Sequence, residues 1–140
     1  MTAAGNQGSN FEKTILPEGR LEWGEDAFLR RKVRKILRNL GVPEHLSGYH
    51  YLVEAAIMTI GNQSCLRKVT TLIYPRIGQK YQISGAAVER AMRYAVESGC
   101  MRCDPDVLVA YFGNTIDPVK GKPSNSEFIA RVAGAVCQEV

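Results

Sequence analysis

No apolar run in this chain is long enough to span a bilayer, and its polar N-terminus lacks the apolar core of a signal peptide. Neither a membrane-spanning nor a secreted protein is therefore expected. No alternating strand pattern stands out, nor any internal repeat or low-complexity tract. Catalytic motifs are missing too: there is no Ser–His–acid set, no glycine-rich phosphate loop and no paired-carboxylate motif. His50 sits within an apolar stretch, as a packed residue does. An enzyme is not expected, and no cofactor is implied. The four cysteines, with no secretion signal beside them, read as reduced thiols of a cytoplasmic protein. Cys100-Met101-Arg102-Cys103 is a C-x-x-C, yet a structural zinc site needs four ligands. Cys65, Cys137, His45 and His50 form no matching second pair, and a redox role would require a βαβ context. No metal is expected.

What is present fits one globular domain. A chain of 140 residues with 45% apolar content can bury a real core. Its net charge is +4, compatible with nucleic acid without demanding it. The basic excess is uneven: residues 1–40 carry 8 basic and 5 acidic side chains, residues 41–140 carry 10 and 9. Arg30, Arg31, Lys32, Arg34, Lys35 and Arg38 crowd into one short stretch. They form either the solvated face of a helix or a patch lying along phosphates.

Periodicity and punctuation predict an all-α chain, with a mobile leader over residues 1–25 and one domain over 26–140. Leu29, Val33, Ile36, Leu37 and Leu40 make one stripe, ended by Gly41 and Pro43. A strongly apolar helix follows over 46–60, closed by Gly61-Asn62. Ser64 is expected to cap a third helix reaching Ile73, and Pro75 to open a short fourth ending at Tyr81. The fifth covers 85–98. Asp104 caps a sixth, ending near Phe112. Ser124-Asn125-Ser126-Glu127 is a capping box opening the last helix, which runs to about Gln138.

The segment YPRIGQKYQISGAAVERAMRYAVES, residues 74–98, carries the most information. Val88, Ala91, Met92 and Ala95 recur at core-facing spacing, while Ala86, Glu89, Arg90, Arg93 and Glu97 point the other way. Gly78 permits close packing of the preceding helix, and Ile83 and Val88 are placed to plug the corner. Such a segment is a helix-turn-helix or, on spacing alone, an ordinary helical hairpin with a charged wet face.

Three segments, LGVPEHLSGYHYLVEAA, YPRIGQKYQISGAAVERAMRYAVE and KGKPSNSEFIA, resemble the C-terminal DNA-binding domain of the sporulation stage-zero response regulator family. The resemblance spans roughly residues 34–136, with its motifs in the right order and spacing. It implies a helical bundle with a helix-turn-helix that binds short promoter boxes on double-stranded DNA, often in tandem as a homodimer. It also implies contact with RNA polymerase in a bacterial cytoplasm, at the nucleoid when bound.

By the same resemblance, Glu89 and Arg90 read base edges. A guanidinium can donate twice to guanine, and a carboxylate can accept from cytosine. Arg93, Lys80, Lys120, Lys122, Ser124, Asn125 and Ser126 are expected around phosphates. Where the family usually carries a Ser-Arg pair before this motif, Ala86-Ala87 stand, which bears on box sequence and affinity. The family's polymerase surface falls near Asp104, Asp106 and Tyr111, and is also altered. The family's phosphorylated receiver needs about 120 residues of alternating strands and helices. Residues 1–33 cannot supply it, so DNA binding without phosphorylation of this chain is expected. The competing reading is a receiverless interaction module that antagonises a full-length relative or occupies polymerase.

Overall fold

Val33, Ile36, Leu37 and Leu40 are each at most 1% exposed, as their spacing requires of a helix with one wet face. The first three lie on α1, Gly24–Asn39, and Leu40 follows its end. The computed structural model describes residues 14–15, 21–22, 24–113, 115–116, 119 and 121–139. Chain contacts divide it into two units, residues 1–32 and 33–140, and the division falls inside α1. In the first unit Thr14–Ile15 (β1) pairs antiparallel with Leu21–Glu22 (β2), Ile15 opposite Leu21. Strands of two residues have no period to display, which is why the sequence shows none.

The described part of the second unit is all-α, as the periodicity requires. After α1 come α2 (Ser47–Gly61), α3 (Tyr74–Tyr81), α4 (Gly85–Arg102), α5 (Pro105–Phe112) and α6 (Asn125–Glu139). Their shared core is built on fully buried Tyr49, Leu52, Ile77, Met92, Phe112 and Phe128. α2 crosses α4 at Gly48, where an added Cβ would lie 2.1 Å from the Ala91 carbonyl oxygen. Only a glycine permits that approach.

Local chemistry sets the helix ends. Gly41 takes φ +78°, and the bonds Gly41 N–H to Arg38 O and Val42 N–H to Leu37 O close α1. Asp104 caps α5 by accepting from Asp106 N–H at 2.8 Å. One cap differs from expectation. Asn62, not Ser64, caps the next segment: its Oδ1 accepts from Ser64 N–H at 3.1 Å and from the Ser64 hydroxyl at 2.7 Å. That segment is a 3-10 turn, Gln63–Lys68, widening into a π turn, Val69–Ile73, before α3 begins. His50 differs too: it faces solvent, with its ring edge against Tyr49 at 5.2 Å.

The turn between α3 and α4 is tight. A Cβ on Gly78 would meet the Ile83 carbonyl oxygen at 2.4 Å, so this glycine lets the chain fold back on itself. Val88 is fully buried at the corner, but Ile83 is 37% exposed and does not plug it. Gln82 makes the reversal, at φ 61°. A side chain there carries a left-handed penalty of about 1–2 kcal/mol, partly offset by glycine's larger entropy loss of about 0.5–1 kcal/mol. Gln82→Gly is therefore expected to stabilise the domain by roughly 0.5–1 kcal/mol, read as a higher denaturant midpoint at unchanged slope. A lower midpoint would mean that the Gln82 side chain contributes contacts outweighing its strain.

Candidate DNA interface

α4 begins with its own cap, the Ser84 hydroxyl accepting from Ala87 N–H at 3.0 Å. Below it Val88, Met92 and Ala95 are fully buried, which turns the opposite face outward. On that face Arg90 is exposed and makes no ion pair or hydrogen bond among the described residues. Arg93 is also exposed, but its Nη1 lies 2.8 Å from Glu89 Oε2, one helical turn back. Such an exposed pair contributes only about 0.3–0.5 kcal/mol. It orients both side chains in the free protein and yields readily to a stronger partner.

The other expected cations are tethered more broadly. Lys80 Nζ on α3 lies 2.8 Å from Glu54 Oε2 on α2, and over the Tyr81 ring at 5.7 Å. Lys122 pairs with Glu97 of α4. Lys120 lies outside the described residues. Among the described residues Arg90 is thus the cation of the expected set that is paired with no carboxylate.

An open groove of about 410 Å³ runs between α4 and the start of α6. It brings together Glu89, Arg93, Lys122, Ser124, Asn125 and Ser126, but not Arg90 or Lys80. The capping box forms as the sequence implies: Glu127 N–H donates to Ser124 Oγ at 3.2 Å, and Ser124 N–H to Glu127 Oε1 at 2.8 Å. Those two donors are consumed inside the protein, and the backbone N–H groups of Asn125 and Ser126 are not among them. Asn125 differs from a surface contact. It is 9% exposed, and its Nδ2 donates to the Tyr74 hydroxyl at 3.0 Å and to the Glu89 carbonyl at 3.2 Å. Burial pushes the Tyr74 hydroxyl pKa up, a shift the Asn125 hydrogen bond partly opposes.

The residues expected at polymerase sit on or beside α5. Asp104 is its cap, Asp106 is exposed in its first turn, and the Tyr111 hydroxyl accepts from Asn39 Nδ2 at 3.4 Å. In the C-x-x-C, burial raises both thiol pKa values, and the buried Cys103 faces the carbonyls of Asn39 and Asp104. Sequence reasoning passed over Arg67, Lys68 and Arg76, exposed cations on the turn before α3 and on α3 itself. The signal that could have found them was their position flanking the first helix of the motif.

The family model described as sporulation initiation factor Spo0A C terminal matches residues 33–136. That match begins where the second unit begins.

Proposed function

Because this chain belongs to the family of Spo0A C-terminal domains, DNA-binding regulators of sporulation, we propose that it reads short promoter boxes through α4. One observation carries the reading most strongly: Arg90 stands exposed and without a carboxylate partner, on the outer face of a helix whose inner face is core. An arginine in that position is ready for bidentate donation to guanine. Glu89, beside it, accepts from a cytosine amine. Arg93, Lys122, Ser124 and Ser126 line the flanking groove and meet phosphates, with the backbone N–H of Asn125 among them. Lys80 and Lys120 add phosphate contacts at the edges. Two copies on tandem boxes, and RNA polymerase at Asp104, Asp106 and Tyr111, complete the assembly in the bacterial cytoplasm.

Selection of bound sequences from random duplex DNA tests this reading. The expected result is one enriched short box containing a guanine whose enrichment disappears in an Arg90 variant. Recovery of no box, from a folded protein that shifts no duplex, would favour an interaction module.

We assign Arg34, Lys35 and Arg38, the exposed cations of α1 within the second unit, to solvent. Gly41, just beyond α1, packs against Gly99 and Cys103, at the far end of α4 from Arg90. Nine residues of helix put that end roughly 14 Å from the reading residues. Neutralising Arg34, Lys35 and Arg38 is expected to leave the slope of log affinity against log salt within about 0.5, whereas neutralising Arg93 and Lys122 lowers it by about 2. A drop of 2–3 on changing the α1 cations would instead place that helix on DNA.

A further inference from the structure

Asn125 is the first residue of α6, yet its side chain is directed at the other two helices of the interface. The Glu89 carbonyl can only accept, so the amide must present Nδ2 to it, and this fixes the orientation of the group. The second hydrogen of the same nitrogen goes to Tyr74, the first residue of α3, itself 8% exposed. One buried amide therefore joins the start of α6 to both helices of the helix-turn-helix. It reaches α4 at the backbone of the residue assigned to a base. The Glu89 carbonyl lies in a helix and has a second lone pair for this bond, so losing Asn125 would not leave it without a helical donor.

We propose that Asn125 is a positioning residue for base reading: its amide fixes the height of Glu89 against α6, and so the reach of the Glu89 carboxylate to its base. This rests on the reading of Glu89 as a base contact. A tether of this kind differs from a generally stabilising contact in what it controls. Geometry at a base edge is lost when donors and acceptors shift by a fraction of an ångström, whereas phosphate contacts tolerate such movement.

The test uses the full chain and two duplexes, the selected box and a scrambled one, titrated well below the melting midpoint of every variant. Asn125→Asp is nearly isosteric and can still accept from the Tyr74 hydroxyl, but cannot donate to the Glu89 carbonyl. A negative charge in the first turn of a helix also favours folding. It is expected to lower the ratio of specific to scrambled affinity about tenfold. Asn125→Ala should do the same, and serves alone if the aspartate variant does not fold. Tyr74→Phe, which leaves the bond to Glu89 intact, should lower the melting temperature and keep the ratio. The deciding arm is coupling: in a Glu89→Ala background, replacing Asn125 should produce no further loss of ratio. An unchanged ratio in a folded Asn125 variant, or equal losses with and without Glu89, would overturn the proposal. A Glu89→Ala variant with unaltered base preference would instead overturn the base-reading assignment on which it rests.

Discussion

Replacing Arg90 with alanine is expected to cost one to two orders of magnitude in affinity for the selected box and almost nothing in stability. The side chain lies outside the buried stripe of Val88, Met92 and Ala95, so truncation opens no cavity. Nor does it break an ion pair, since Arg90 has none among the described residues. What is lost is the proposed bidentate guanine contact, about 1–3 kcal/mol of base discrimination. Affinity for scrambled duplex, carried by phosphates, should largely survive. The Arg93–Glu89 pair decides the comparison with Arg93. At about 0.3–0.5 kcal/mol it is too weak to hold Arg93 from a phosphate, so Arg93→Ala should weaken both duplexes alike. Melting curves and paired titrations check both statements. An Arg90→Ala chain that unfolds would mean the faces of α4 are reversed.

A larger effect on the fold is expected at Gly48. An alanine Cβ would lie 2.1 Å from the Ala91 carbonyl oxygen, 2.7 Å from the Ala91 carbonyl carbon and 2.8 Å from Ala95 Cβ. These are backbone and short-side-chain atoms, so no rotamer change relieves the clash; α2 and α4 must separate. Overpacking of this kind costs roughly 2–3 kcal/mol, which for a domain of this size lowers the melting temperature by on the order of 10 °C. Because α4 is one of the two helices forced apart, box affinity should fall with it. Gly134→Ala is the matched control. Gly134 lies within α6, with nothing within 4 Å of an added Cβ, so alanine there should stabilise by up to about 1 kcal/mol. If Gly48→Ala melted with the natural chain, α2 and α4 would not cross as closely as described.

What could be seen in the sequence was what local spacing encodes. The capping box at Ser124 and Glu127 needs residues only three apart, and the close of α1 at Gly41 needs one left-handed position; both were legible. So was the buried stripe of α4, although the helix continues to Arg102, four residues past the expected end. The Asn125 bracket was not legible, because its partners lie 51 and 36 residues away. Asn125 in a capping box reads as a surface residue until α3 and α4 are set beside it. Gly48 was silent for a similar reason: a glycine early in an apolar helix has no period of its own, and only the approach of Ala91 explains it. The π turn at Val69–Ile73 leaves no signature, since its bonds reach one residue further than the helical repeat. Ile83 was misplaced because an apolar residue in a tight turn gives no sign of which side it faces.

The central claim is that this domain recognises a DNA sequence through α4. Its most direct measurement is a titration of the natural chain, without phosphodonor, against the selected box and a scrambled duplex over a range of salt. The account predicts shifts on both duplexes that weaken with salt along similar slopes, with the box bound at least tenfold more tightly throughout. Equal affinity for the two duplexes at every salt concentration, or no binding to either by a folded chain, would contradict it.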